Sequence, residues 1–450
     1  MTNKTFKYLL ILAIFSNFTV AEDTTKPEEE NKAKEKQETF IEEMVEDYEE
    51  IPGFFTTYRD PETNQIYLKI NEKQLEKEFI YFAHSLNSVV STGKVKGSYI
   101  DKGIFKIEKD YDNLRFIRVL TNFTFDENNP LQRSEGANTS DSTFAVLPIK
   151  GKTEEKDSFL IEITGLLISE SLTPIVPVIS REDFPPSGFA WGQVNPTKSR
   201  IVEVYNYEQN SDFEVEYVIE SAPSYEYSGE DAADPRYVSV NVRYSFIEMP
   251  DNNFEPRIEN QSIGYFSDRV TNLTSKKITP YQDLISKWDL QKQDPSAEYS
   301  KPIKPIVFWI ENTTPLELRD YIKDGVLAWN IAFKEAGFID AIEVKIQPDD
   351  AKWDAGDIRY NVLRWTSSPD PLFGGYGPRL ANPRTGEIIG ADIMLEWIYL
   401  TNRINYDAIF NSDSSPLSCH SSGLIQDGMI LAENIELNDP KIVEQAIKRL

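Results

Sequence analysis

The sequence predicts an α+β protein in which an antiparallel, β-rich region precedes a smaller region of mixed strands and helix. Two observations predict this order. Between residues 53 and 275 apolar residues mostly alternate with polar ones, and turn clusters separate the runs, which is typical of antiparallel strands. From residue 305 a continuous apolar run precedes apolar residues at helical spacing and then further short strands, which indicates a mixed sheet with a helix on one face.

Residues 1–21 are typical of a secretory signal peptide. Lys4 and Lys7 precede the apolar run Tyr8–Phe15, and Thr19–Ala21 offers small residues before a cleavage at Glu22. The run is too short to span a bilayer comfortably, although an uncleaved anchor remains the alternative. We therefore expect an exported, periplasmic or extracellular protein with no integral membrane span beyond the signal peptide.

Residues 22–52 predict an acidic leader that ends in a short helix. Residues 22–36 are nearly all charged or small, which is typical of a flexible segment. Apolar residues at helical spacing then predict a helix that docks by one face: Phe40, Ile41, Met44, Val45 and Tyr48. Pro52 and Gly53 end this segment.

Residues 53–275 predict the β-rich domain. Apolar runs flank turn clusters at residues 60–64 and 110–113, and one later run alternates cleanly through Val238, Val240, Val242, Tyr244 and Phe246. Aromatic residues make up 12% of the chain, and packing between strands explains them better than a carbohydrate-binding surface. Residues 276–304 predict a linker, with a short helix at Tyr281–Trp288 and a polar stretch from Gln291 to Lys304.

The last predicted domain, residues 305–450, opens with a buried strand at Pro305–Asn312. Thr314 as N-cap, Pro315 at the first helical position and Glu317 three residues after the cap form a capping box. Apolar residues at helical spacing then predict about six helical turns, and Gly337 predicts the end of the helix. The apolar stripe consists of Leu318, Ile322, Val326, Trp329 and Phe333.

Three further strands are predicted at 342–346, 358–362 and 388–395, and a turn-rich loop lies at 367–387. This region resembles a family of secreted bacterial zinc-dependent metalloproteases related to the metzincins. The resemblance lies in PIVFWIENTTPLELRDYIKDGVLAWNIAF, WDAGDIRYNVLRW and YGPRLANPRTGEIIGADIMLEW. The resemblance implies that residues 305–450 are the first part of a metallopeptidase catalytic domain. The β-rich region is similar to the domain that precedes the protease in that family, at GFFTTYRDPETNQIYLKI, IGYFSDRV and KWDLQKQDP.

The resemblance also implies a substrate-binding edge strand beside the cleft, where main-chain hydrogen bonds would hold an extended peptide. Its residues are Ile388, Ile389, Gly390, Ala391, Asp392, Ile393 and Met394. The alternative is an interior strand without a ligand. The expected partner is a peptide or protein substrate, and the net charge of −27 argues against nucleic acid.

Zinc is expected for the complete protein, with three protein ligands and a Glu that takes a proton from metal-bound water. The chain contains only His84 and His420, and no H-E-x-x-H motif, so we assign it no catalytic residue and no metal ligand. Asp439 and Pro440 begin a predicted helix that runs to Leu450, and we expect the motif to follow in a longer chain. His84 is predicted to be a hydrogen-bonded structural residue, and Cys419 beside His420 forms neither a zinc cage nor a catalytic triad.

Two other functions remain open. A non-catalytic secreted binding module or degenerate peptidase would keep the edge strand for binding only. A carboxylate-dependent glycosidase would use two of the abundant acidic side chains, but in so acidic a chain a plausible pair carries little information.

Overall fold

The computed structural model of the chain describes residues 39–92, 94–176, 191–221, 231–260, 262–369 and 373–402. The predicted signal peptide, the leader up to residue 38, the pair at 419 and 420 and the predicted helix at 439–450 lie outside these residues. The short helix after the leader is confirmed as α1 (Ile41–Met44). Its Ile41 is buried against Tyr58, Tyr67 and Leu160.

The β-rich region contains fifteen of the described strands and a second short helix, α2 (Thr164–Leu167). In chain order the strands are β1 (Glu49–Ile51), β2 (Thr57–Arg59), β3 (Ile66–Asn71), β4 (Glu78–Asn87), β5 (Tyr99–Asp110), β6 (Asn113–Val119), β7 (Phe123–Thr124), β8 (Ser142–Lys152), β9 (Ser158–Glu162), β10 (Gln193–Val194), β11 (Arg200–Asn206), β12 (Asn210–Glu220), β13 (Tyr237–Glu248), β14 (Ser267–Asn272) and β15 (Tyr281–Ile285).

Twelve of these strands form one sheet with the order β1-β2-β3-β9-β8-β6-β5-β4-β13-β12-β10, and β11 also pairs with β12. Every neighbouring pair is antiparallel. The predicted alternation of β13 is confirmed, because every second residue from Val238 to Phe246 is at most 2% exposed and lies in the main hydrophobic core. The residues of this core come from most strands of the large sheet, so the sheet encloses the core on one face.

The two ends of this sheet approach each other. The Arg59 guanidinium on β2 lies 2.9 Å from the Glu203 carboxylate on β11. The Asn206 amide, also on β11, donates to the carbonyl oxygens of Ile51 (2.6 Å) and Phe55 (2.7 Å). These contacts cover strand edges that would otherwise expose unpaired main-chain groups.

A small sheet with the order β15-β14-β7 follows the large one. Here the predicted helix at Tyr281–Trp288 is wrong, because Tyr281–Ile285 forms β15 and pairs antiparallel with β14. Helix propensity is a weak preference that ladder hydrogen bonds and burial override, and Leu284 and Ile285 are both buried in this pairing.

The second region contains a mixed sheet and one main helical segment. Its elements are β16 (Ile306–Ile310), α3 (Arg319–Leu327), α4 (Trp329–Glu335), β17 (Ile342–Ile346), β18 (Asn361–Thr366), β19 (Gly375–Tyr376), β20 (Arg379–Ala381), β21 (Ile388–Ala391) and β22 (Ile393–Glu396). The sheet order is β17-β16-β18-β22-β19. The first four strands are parallel, and β19 pairs antiparallel with β22 at the edge.

The predicted six-turn helix forms as a 3-10 turn at Leu316–Leu318 followed by α3 and α4, with Ala328 in right-handed helical conformation between them. The predicted capping box is wrong: Pro315 is the N-cap of the turn, and the Thr314 hydroxyl has no hydrogen-bond partner among the described residues. Instead, the Arg319 guanidinium donates to the carbonyl oxygens of Thr314 and Asn312. Gly337 is confirmed as the stop, with φ of +89°.

The helices cover one face of the mixed sheet, where Ile306, Phe308 and Ile310 of β16 share a core with Ile322, Val326 and Phe333. Strands β20 and β21 form a separate two-stranded sheet. Their Leu380 and Ile389, with Ile358 of the loop before β18, pack against Ile80, Phe82 and Ile247 of the large sheet. The protein is therefore α+β and mostly β, as predicted.

Candidate functional site

The seven residues predicted to bind a peptide do not form one exposed edge strand. Ile388–Ala391 belongs to β21, which pairs with β20, and Ile393 and Met394 belong to β22. Strand β22 has a neighbour on each side, β18 and β19. The expectation of an open edge is therefore wrong for Ile393 and Met394, whereas β21 has β20 as its one strand neighbour among the described residues.

Side chains cause the break between β21 and β22. The Asn361 side-chain oxygen accepts a hydrogen bond from the Ala391 N–H (2.9 Å), and Asp392 Oδ1 accepts one from the Val362 N–H (3.1 Å). Because these side chains take the place of main-chain partners, the ladder to β18 begins only at Ile393. An alternation of apolar and polar residues in the sequence cannot show that side chains will replace main-chain groups as hydrogen-bond partners.

The mixed sheet has two edge strands, β17 and β19, and β19 is the antiparallel one. Gly375 and Tyr376 pair with Leu395 and Met394, and no further strand pairs with β19 among the described residues. The Gly374 carbonyl accepts a hydrogen bond from the Glu396 N–H (3.1 Å). Since hydrogen-bonding direction alternates along a strand, the N–H and C=O of Gly375 point away from β22.

A cavity of about 40 Å³ lies between β4 and β13 of the large sheet and the strands β18, β21 and β22. Its polar lining includes His84, Arg364 and Asp392, and its apolar lining includes Phe82 and Met394. A space of this size holds water and no larger organic ligand.

His84, predicted to be a hydrogen-bonded structural residue, lines this cavity. Burial, followed by the nearby charges of Arg243 and Arg364, lowers the pKa of His84 to about 3, and the Asp354 carboxylate opposes that shift. The imidazole is therefore neutral at physiological pH.

Asp392 also lines this cavity, and its pKa is raised where that of His84 is lowered. Burial raises the pKa of Asp392 to about 7, although the positive charge of Arg364 and the hydrogen bond from the Val362 N–H work against the increase. Arg364 is itself paired with Glu311 at 3.1 Å. A carboxyl group with a pKa near neutrality is a candidate proton carrier, but buried structural carboxylates shift in the same way.

A second polar cluster joins the two regions beside the cavity. Arg243 of β13 is 5% exposed and lies between Asp212 of β12 and Asp354 of the loop after β17. The Tyr207 hydroxyl donates to Asp354 at 2.6 Å, and the Asn210 amide donates to the Gly356 carbonyl at 2.9 Å. The sequence signal for this cluster is Arg243 on a strand that is otherwise mostly apolar or small, and the sequence analysis did not identify it.

The described residues do not fit a zinc site. No group of three or more His, Cys, Asp or Glu side chains that could hold a metal occurs among them. His84, the histidine within the described ranges, feels the positive charges of Arg243 and Arg364, which disfavour a cation there. No zinc-dependent step is therefore assigned to these residues.

Comparison with known proteins adds one match. A family described as a domain of unknown function (DUF5117) matches residues 97–293, which begin just before β5 and end just after β15. The chain is similar to that family over the part of the β-rich region from β5 to β15. No curated protein matches the chain. No solved structure matches it either.

Within the described ranges, no helix is both long enough and apolar enough to cross a membrane.

Proposed function

We propose that this chain is the N-terminal portion of an exported zinc-dependent metallopeptidase, and that its own residues align an extended peptide substrate. One observation carries the proposal: the mixed sheet has four parallel strands, helical cover on one face and an antiparallel edge strand with outward main-chain groups. This arrangement agrees with the strand, helix and strands that the family resemblance implies for the upper half of the catalytic domain.

The substrate-aligning edge is β19. An extended peptide can add to the free edge of a sheet through main-chain hydrogen bonds, and Gly375 presents an N–H and a C=O there. The residues first predicted, Ile388–Met394, then support β19 and do not contact the peptide themselves. Among them, Met394 pairs with Tyr376 and holds β19 in place.

The chemistry of hydrolysis belongs to groups that residues 1–450 do not contain. In a metallopeptidase, zinc activates a water molecule and a glutamate takes its proton. Since the sequence has no H-E-x-x-H motif and the described residues offer no metal site, the proposal gives this chain substrate alignment and not catalysis. Export to the periplasm or the exterior is part of the same proposal, and it rests on the signal-like residues 1–21.

The coding sequence beyond codon 450 tests the peptidase proposal directly. We expect an H-E-x-x-H motif within about ten to twenty residues. A stop codon at that point in an intact gene would overturn the peptidase and leave a secreted binding module or degenerate peptidase. A glycosidase would instead retain activity on a glycan in the presence of a strong zinc chelator.

Substrate alignment at β19 is tested by peptide binding to the protein as it exists. The variant Gly375→Pro removes the outward N–H donor, and we expect it to abolish binding of an extended casein-derived peptide measured by calorimetry. The control Gly375→Ala keeps the donor, and its Cβ would lie no closer than 3.5 Å to other atoms, so binding is retained. Equal binding by both variants would show that β19 is not the aligning edge.

A further inference from the structure

The helical segment α3–α4 is only partly covered. Neither helix contains a fully buried residue. One side packs Ile322, Val326 and Phe333 against the mixed sheet. Such thin cover is unusual for a helix whose sequence carries a continuous apolar stripe, because that stripe is normally buried.

A second side of the segment exposes small residues and one tryptophan. Because these residues recur at spacings of three and four, they share a face, which we call the open face: Gly325, Ala328, Trp329, Ala332 and Ala336. All five are exposed. A Cβ added at Gly325 would meet no atom within 4 Å.

Trp329 is the anomaly on this face. Its position in the apolar stripe predicted burial, but the side chain is 64% exposed. Tryptophan buries a large apolar area when it has a partner, and flanking alanines and a glycine let a second helix approach closely. The combination is typical of a helix contact whose partner lies outside the described residues.

We propose that residues 439–450 of the same chain cover the open face. The sequence there predicts an amphipathic helix with one apolar side, formed by Ile442, Val443, Ala446, Ile447 and Leu450. The described part of the chain ends beside this helical segment, since Trp397 and Leu400 pack with Leu318 and Ile322. Residues 403–438 could reach roughly 120 Å when fully extended, at about 3.3 Å per residue, which is several times the length of α3 and α4 together.

Charge supports the same occupant. Asp324 and Glu335 are exposed on the helical turns that border the open face. Segment 439–450 is net positive, with Lys441, Lys448 and Arg449 against Asp439 and Glu444. The leader at 22–36, which also lies outside the described residues, is nearly all charged or small and offers no apolar side. This contact does not depend on the proposed peptidase function.

Cysteine cross-linking tests the contact in the full chain. With Cys419→Ser as background, Ala446→Cys is paired in turn with Ala328→Cys, Ala332→Cys and Ala336→Cys. We expect at least one pair to form an intramolecular disulfide under mild oxidation, seen as faster migration on a non-reducing gel. Glu444→Cys, on the opposite side of the predicted helix, is the matched control and should form none.

Two results would overturn the proposal. Cross-linking no better with Ala446→Cys than with Glu444→Cys would show that the segment does not lie on the open face. Disulfide-linked dimers from Ala332→Cys alone, in protein that also self-associates on sizing, would assign the face to a second copy of the chain.

Trp329 fluorescence gives a second readout that needs no cross-link. We expect the emission lost in Trp329→Phe to be blue-shifted, as for a buried indole. The double variant Ile442→Asp and Ile447→Asp should shift that contribution to the red, and Glu444→Gln should not. A red-shifted contribution in the unmodified chain would contradict coverage by this segment.

Discussion

Arg243 and Asp354 meet across the boundary between the two sheets, with Nη2 of the arginine 3.3 Å from Oδ2 of the aspartate. Arg243 belongs to the large sheet, and Asp354 lies in the loop between β17 and β18. A second carboxylate, the fully buried Asp212, lies 3.7 Å from the same guanidinium. One buried arginine therefore balances a carboxylate from each region.

Replacement of Arg243 by methionine should destabilise the protein by about 3 kcal/mol, because Asp212 would remain buried without its cation. The free energy of unfolding from urea denaturation at pH 7 measures this loss. Arg236→Met is the control, since Arg236 and Asp234 form an exposed pair of the kind that adds little stability. Similar losses in the two variants would show that the buried pair has no special role.

His84 should make the protein sensitive to acid. Its pKa is about 3 in the folded state and about 6.5 in an unfolded chain, so between these values the unfolded state binds the extra proton. Stability is therefore fully present above pH 6.5 and falls as the pH decreases, by up to about 1.4 kcal/mol per pH unit for one proton.

The variant His84→Gln should remove this component. Urea denaturation of both proteins at several pH values between 4 and 7 gives the two stability curves. We expect their difference to change steadily with pH, with the variant losing less stability on acidification. Parallel curves would mean that His84 is solvated and titrates normally in the folded state.

The sequence predicted local secondary structure well, but it did not predict which faces would be buried by residues distant in the chain. The alternation from Val238 to Phe246 correctly located the core face of β13, because one face of a strand repeats every second residue. It could not show that Arg243, Ser245 and Ile247 on the other face would also be buried. That burial comes from residues more than a hundred positions later in the chain.

The candidate site illustrates the same limit. The apolar run at 388–395 predicted a strand, but the break at Asp392 depends on Asn361 and Val362 of a different strand. The edge strand β19 has two residues within a glycine-rich loop, a length and composition that carry almost no strand signal. Trp329 was placed on a buried stripe by spacing, and only the packing of the helix shows that it is exposed.

Asp392 should oppose His84 in its effect on stability. Its pKa is about 7 in the folded state against an ordinary value of 3.8, so the folded state keeps a proton that the unfolded state has lost between these values. Stability therefore decreases as the pH rises through this window. Asp392→Asn should raise the thermal unfolding midpoint more at pH 8 than at pH 5.

The matched control is Asp234→Asn. The hydrogen bonds from Arg236 lower the pKa of Asp234 to about 2, so this carboxylate is ionised in both states at pH 5 and at pH 8. Its variant should shift the midpoint equally at the two pH values. An equal shift for Asp392→Asn would show that Asp392 is also ionised throughout.

Gly374→Ala should displace β19. A Cβ at this position would lie 2.4 Å from the Tyr399 ring, and relief of such overpacking typically costs about 1–3 kcal/mol. Gly377→Ala is the control, because its Cβ would meet only Ile393, at 3.9 Å. Hydrogen exchange of the Glu396 N–H, which donates to the Gly374 carbonyl, reports on the position of β19 and should accelerate in Gly374→Ala alone. Adding Tyr399→Ala removes the clash and should restore protection, and failure of this rescue would mean that contact with Tyr399 does not position the edge strand.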